Sequence, residues 1–445
     1  NEYGAWGLTV FGQDSEDLYV YETNPDNPSE YRYHDRWERM RVIEEQILLK
    51  GEPPVTVQLK YTRHGPVQYE DIENRKAYAL RAAWLDIGSA PYLASLRMDQ
   101  ARSWEEFREA CSYSRIPAEN MVWADREKNI GYQAVGVSPI RPNWSGLVPV
   151  PGDGRYEWDG YLPIKALPHV TNPPEEYFGT ANNYMVPDGY PYLNALHYTW
   201  GDEMRAARLN EVLRSGSRHT LIDMMRLQQD EFSVPAKNLI PFLRGLTLDD
   251  PVANDARRSL FRWDAVLDRD SVDAAIYVTW ERRLMQNLRE LLVPESIRDF
   301  LGGLNMKKVI NWLAAPDGRF GPDPIEGRDR LLVHSMEEAL EELRTRLGPD
   351  QTRWHYGQPD FKHALIRHPL SPAVDDATRA RLDVGPVARG GYGRSLNNTG
   401  NGDNQTSGAS FRMIADTEDW DHAVGTNAPG QSGDPDDPHY RDLFE

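Results

Sequence analysis

The sequence predicts an α+β fold in which a mainly helical block interrupts β structure. Three observations carry this expectation. Apolar and polar residues alternate in the first part of the chain, and strand patterns return after residue 350. Between about 201 and 350 the apolar residues instead recur at i, i+3, i+4 and i+7. No internal repeat divides the chain, so one large domain, 1–445, with the helical block 201–350 inside it is expected rather than separate beads.

The elements follow in order. In "PVTVQLKYTRHGPV" Val55, Val57, Leu59 and Tyr61 alternate with polar residues, which predicts a half-buried strand. "SWEEFREACSYSR" predicts a helix in which Ser103 and Glu106 form a capping box. "NMVWADREKNIGYQAVG" predicts a hairpin, two apolar strands around a charged turn. Residues 138–191 are rich in Pro and Gly and read as ordered loop. "HTLIDMMRLQQDEF" and "SMEEALEELRTRL" predict helices, the second capped by Ser335 with Glu338. "SFRMIADTEDW" predicts a late strand after the loop "RGGYGRSLNNTGNGDNQTSG".

Composition narrows the class. Hydrophobic residues make up 40% and aromatics 10%, enough for a sizeable core. A formal charge of −19 argues against nucleic-acid binding, which needs clustered positive charge to release counterions. The one cysteine, Cys111, lies in a helical pattern and reads as a small core residue. With a single cysteine no intrachain disulfide can form. No run of 18 apolar residues is present.

Local motifs leave the chemistry open. There is no G-x-S-x-G, H-E-x-x-H, P-loop or complete G-x-G-x-x-G. Asp14, Glu16 and Asp17 in "GQDSEDLY" read alone as a solvated loop, although clustered oxygen ligands also suit a hard cation. Asn182 and Asn183, adjacent in "TANNYMVPDGYP", are donors that an active site would use, or turn caps. Arg205 in "WGDEMRAARL" reads alone as a helix-surface charge.

Taken together and in order, these segments say more. "NEYGAWGLT", "DSEDLY", "TRHGPV", "NMVWAD", "NIGY", "PVPGDGRYEWDGYLP", "TANNYMVPDGYP", "WGDEMRAAR" and "PGQSGDPDDPHYRD" resemble the β chain of the penicillin acylase family of N-terminal nucleophile hydrolases over nearly the whole length. The resemblance implies a four-layer αββα sandwich with a helical insertion. It implies an amidohydrolase that cleaves the amide between an acyl chain and an amine, in a penicillin, a cephalosporin, an N-acyl-homoserine lactone or a related N-acyl amide. Its nucleophile would be an N-terminal serine whose own α-amino group serves as base. By the match, the backbone N–H of Val10 and the side-chain amide of Asn182 would stabilise the oxyanion, and Arg205 would position that amide. Phe11, Glu119 and Trp123 would lie near the acyl pocket; Glu119 is unusual in a pocket for an apolar acyl group, and the alternative is that it points outward or bonds the backbone instead.

The resemblance also implies a structural calcium ion, and no organic cofactor. Asp14 and Asp17 would donate carboxylates, Glu16 and Gly146 backbone carbonyls, and Asn194 an amide oxygen in place of the family's aspartate. Family members are bacterial, periplasmic or secreted, and cut themselves into α and β chains. The matched stretch starts some tens of residues beyond the family's β-chain start. An α chain and a nucleophile-bearing segment of the same precursor are therefore expected partners, with neither nucleic acid nor membrane among them. A catalytically inactive homologue, serving as a binding or structural protein, is the alternative.

Overall fold

In the computed structural model, which describes residues 1–445 apart from 90–92, 197, 216–217, 249 and 445, the opening stretch GAWGLTV forms strand β1 (Gly4–Val10). There follow β2 (Glu16–Asn24), β3 (Asn27–Tyr33), β4 (Arg36–Arg39), β5 (Arg41–Ile47), β6 (Val55–Tyr61), β7 (Val67–Asp71) and β8 (Lys76–Ala82). Helices α1 (Leu93–Met98) and α2 (Trp104–Cys111) lead to β9 (Glu119–Asp125) and β10 (Ile130–Val135), then the short β11 (Val150–Pro151) and β12 (His169–Thr171). Two sheets result. One runs β1-β9-β10-β12, antiparallel throughout, and the other runs β4-β3-β2-β8-β7, with β11 parallel to β2.

The first sheet positions the candidate site. Trp6 and Trp123 are cross-strand partners on the face that α2 covers, and Phe107 of α2 lies 6.0 Å from the Trp6 ring and 5.0 Å from the Trp123 ring. Gly4 is required beneath Trp123, because a Cβ there would stand 2.3 Å from the indole. Ser103 accepts from Glu106 N–H and starts α2 as expected. Glu106, however, turns its carboxylate to the backbone and guanidinium of Arg102, so the box is only half formed. Cys111 is fully buried and free, as its helical setting predicted. The predicted hairpin is β9–β10, in regular register from Ile130 opposite Ala124 to Val135 opposite Glu119.

The strand predicted at 55–61 is present as β6, but it is not half-buried. It pairs with β5 in a two-stranded ribbon, leaving Val55 45% and Leu59 40% exposed. The second sheet encloses an aromatic and polar cluster. Tyr19 stacks on His64 at 3.8 Å, the Tyr21 hydroxyl meets His64 Nδ1, and His64 Nε2 lies 2.9 Å from Glu157 Oε1. Tyr33 and Arg81 donate to the same carboxylate.

The chain divides into two compact units, Asn1–Trp200 and Gly201–Glu445, where one domain was expected. The helical block falls in the second unit: α3 (Met204–Leu213), α4 (Leu221–Gln228), α5 (Val234–Leu239), α6 (Pro251–Leu260), α7 (Val272–Leu292), α8 (Met306–Ala314) and α9 (Pro324–Leu347). Beyond it come β13 (His363–Ile366), α10 (Asp376–Leu382), β14 (Val384–Ala388), β15 (Phe411–Ile414) and β16 (Val424–Asn427). The long helices α7 and α9 pack along each other and carry the core with Trp280, Leu284, Leu332 and Met336.

Ser335 does not cap a helix. It lies inside the 24-residue α9, which Asp323 caps, and its hydroxyl donates to Leu331 O at 2.7 Å. The S-x-x-E pattern is the same in mid-helix, and Pro324 with Asp323 is the stronger start. The wholly buried Lys362 donates from Nζ to the carbonyls of Thr399, Gly400 and Gly402 at 2.7–2.8 Å, holding the Gly/Asn-rich loop.

Candidate active site

Strand β1 ends at Val10, and the carbonyl of that residue is held by two side-chain amides. Asn182 Nδ2 donates to Val10 O at 2.9 Å, and Asn120 Nδ2 donates to the same oxygen at 3.0 Å. The next N–H, of Phe11, donates to Ala118 O at 3.1 Å. The peptide leaving β1 is thereby fixed at both its oxygen and its nitrogen. A peptide with both groups engaged resists rotation, which suits a turn whose neighbouring amide must point one way.

Asn182 occupies a left-handed backbone position, φ 60°. Asparagine tolerates that region better than most residues because its short side chain bonds locally. Its neighbour Asn183 accepts from Ala181 N–H and donates to Tyr184 O, so it shapes the turn. The two asparagines therefore divide the work: one reaches across to β1, and the other holds the loop that presents it. Thr9 and Thr180 meet at 3.3 Å beside them.

Asn120 was not anticipated. It is 1% exposed, contacts Thr9 Oγ1 as well as Val10 O, and accepts from the Tyr132 hydroxyl at 2.7 Å. Its signal was present in "NMVWAD", a buried-strand pattern containing one amide, since a buried amide must be hydrogen-bonded.

The expected pocket residues separate. Phe11 is 2% exposed and meets Trp200 edge-on at 5.5 Å. Trp123 belongs to the core rather than to a pocket wall: it is 2% exposed, packed on Phe107 over Gly4, and donates to Asp125. Its place four residues along β9 from Glu119 puts it under α2. Glu119 stands opposite Val10 in register, is 5% exposed, and has an Oε2 with no hydrogen-bond partner. Burial pushes its carboxyl up to about 7.

Arg205 belongs to the second unit, near the start of α3. Burial lowers its guanidinium from the usual value, and the charge of Asp202 opposes that.

The expected calcium residues do come together, but around an arginine. Arg141, whose side chain is 0% exposed, donates to Asp17 Oδ2 at 2.7 Å and to the carbonyls of Asp14 and Glu16 at 3.3 Å. Its guanidinium lies 3.4 Å from Asp14 Oδ1. Trp158 and Trp144 donate to the two oxygens of Asp17 at 2.6 and 3.4 Å. Gly146, at φ 80°, covers the group so closely that a Cβ would sit 2.8 Å from the guanidinium. Asp14 N–H bonds Leu196 O, which brings up the turn carrying the exposed Asn194.

These residues do not fit a calcium ion as they stand, because the Asp17 carboxylate and the Glu16 carbonyl already serve the Arg141 guanidinium. Among the described residues, no group of three or more His, Cys, Asp or Glu side chains is placed to hold a metal. A lone arginine in a Pro-rich loop has no local signature, and so the sequence did not flag it.

The family model described as penicillin amidase matches residues 1–445. An acyl-homoserine lactone acylase QuiP of Pseudomonas aeruginosa is 28% identical over 99% of this chain and 58% of its own length. Penicillin G acylase of Escherichia coli is 29% identical over 79% of this chain and 45% of its own. The chain thus spans little more than half the length of the curated relatives it matches. A solved structure, the thermostable penicillin G acylase from Alcaligenes faecalis, superposes with a TM-score of 0.72 at 23% identity, covering 100% of this chain and 83% of that one. The α+β fold is accordingly the N-terminal nucleophile hydrolase fold of that acylase. The match of the family model over residues 1–445 identifies the chain as a member of the penicillin amidase family.

Proposed function

We propose that this chain is the larger part of an amidohydrolase that cleaves the bond between an acyl group and an amine, and that it supplies the oxyanion donors. The carrying observation is the clamp on Val10 O by Asn182 and Asn120, which sets the strand end and the Asn182 amide side by side. In this reading an N-terminal serine from an upstream segment attacks the amide carbonyl. Its α-amino group takes the hydroxyl proton and delivers it to the leaving amine. Negative charge gathers on the former carbonyl oxygen, where Val10 N–H and the Asn182 amide donate to it. Water then hydrolyses the acyl ester.

The relatives named above support N-acyl-homoserine lactones and penicillins as substrate classes. The partners in this reading are an α chain and the nucleophile-bearing segment of the same precursor, with processing outside the cytoplasm. The test uses enzyme matured from the complete gene product and a panel of N-acyl amides. Asn182→Ala should lose on the order of 10²–10³ in kcat with little change in KM. An Asn182→Ala enzyme as active as the parent would overturn the assignment.

A further inference from the structure

The carboxyl of Glu119 has no role in the clamp, and its Oε2 is buried beside Val10 without a partner. The neighbouring Asn120 faces the other side of β9 and has partners for both of its amide atoms. Glu119 is 5% exposed, its Oε2 has no hydrogen-bond partner, and its elevated pKa has burial as its only cause, with no charge or hydrogen bond offsetting it. Carboxyls are almost never buried without a partner, because desolvation is uncompensated. An orphaned group of this kind is explained when a ligand completes it.

Its position says what the ligand is. Glu119 is the cross-strand partner of Val10 on one side and of Val135 on the other, so the three side chains share a face of the sheet. Val135 is fully buried, whereas Val10 is 61% exposed, so that face opens to space on the Val10 side. In the amidohydrolase reading, on which this inference rests, Val10 marks the carbonyl being attacked. A group beside Val10 then meets the acyl chain close to that carbonyl.

We propose that Glu119 is a specificity-determining residue that selects acyl groups carrying a hydrogen-bond donor, a hydroxyl or an amine, near the carbonyl. A plain alkyl chain would seal the carboxyl in without a partner. A donor-bearing chain would satisfy it. A site built to receive a polar substituent rejects the analogue lacking it far more strongly than a hydrophobic slot rejects an extra methylene.

The experiment compares three N-acyl amides of one chain length on the matured enzyme: unsubstituted, 3-hydroxy and 2-amino. The parent should favour at least one donor-bearing substrate by roughly 10-fold or more in kcat/KM. Glu119→Leu should abolish that preference and raise the rate on the unsubstituted chain, while Glu119→Gln should keep most of the preference. A parent that favours the unsubstituted chain overturns the proposal even if no variant folds. So does a ratio unchanged in Glu119→Leu. Hydrolysis of none of the three would remove the amidohydrolase reading and this proposal with it, an outcome distinct from hydrolysis without discrimination.

Discussion

Replacing Asp17 by alanine should destabilise the first unit severely, and the size of the effect follows from what the carboxylate does. The Asp17 side chain is 2% exposed and that of Arg141 0%, with 2.7 Å between them. Asp17 also accepts from Trp158 and Trp144. Removing it leaves a guanidinium buried with only carbonyl partners and the more distant Asp14. Breaking a buried pair from one side typically costs about 3–5 kcal/mol, because the surviving charge stays desolvated. For a unit of this size each kcal/mol shifts Tm by about 2–4 °C, so the expected loss is about 6–20 °C. Removing both charges, as Asp17→Leu with Arg141→Met, should recover most of it, since no charge is then stranded. Calorimetry on the matured enzyme, with and without excess chelator, measures both effects. A drop under about 2 °C for Asp17→Ala would refute the reasoning. A parent Tm that falls on chelation and returns with calcium would show that a metal, not Arg141, braces the loop.

Four further outcomes are expected. Asn120→Ala should cost about 1–3 kcal/mol of stability, measured by denaturant unfolding, because it strands the Tyr132 hydroxyl and removes one donor from Val10 O; no loss would mean that β1 and β9 hold the turn unaided. Lys362→Met should speed amide exchange in and around residues 399–402, where three carbonyls lose their donor, and an unchanged exchange pattern would contradict the ammonium's role. Ser335→Ala should move stability by about 1 kcal/mol or less in thermal melts, since the hydroxyl donates only to Leu331 O one turn back and the Asn287 amide that it receives from α7 keeps Glu338 as a second acceptor; a loss well above that would show that the α7–α9 contact depends on this hydroxyl.

The fourth concerns pH. Burial holds His64 below the usual imidazole value, so below about 6.5 the unfolded chain binds a proton that the folded one resists. The stability His64 contributes is complete above that pH and is lost as pH falls through its lower folded value. Tm measured from pH 7.5 to 5 should therefore fall more steeply in the parent than in His64→Gln.

Local chemistry in the sequence carried the elements whose partners are near in sequence. Ser103 and α2, the β9–β10 hairpin and the buried Cys111 follow from capping, alternation and helical spacing. What failed depended on distant contacts. The alternation of Val55 and Leu59 specifies a strand, but not whether a layer covers it, and the β5–β6 ribbon leaves both exposed. Ser335 carried a start signal that a helix begun at Pro324 overruled. Trp123 shares β9 with Glu119, and only the position of Phe107 shows that it is core. Asn182 was named only through its family context; Asn120 and Arg141 were not named, since their contacts exist only once residues some 110 and 124 positions away are brought to them.

The arginine at the centre of the acidic loop has a consequence for how the protein keeps its shape in a changing medium. A bound ion stabilises only in proportion to the logarithm of its concentration over its dissociation constant, so its contribution declines on dilution or in the presence of competing chelators. A guanidinium tethered to the backbone has no such equilibrium. It is delivered with the chain in a one-to-one ratio, it cannot be washed out or exchanged for magnesium, and it carries one positive charge where calcium would carry two. Asp14, Glu16 and Asp17 are thus tied to Arg141 at a fixed stoichiometry that dilution does not change.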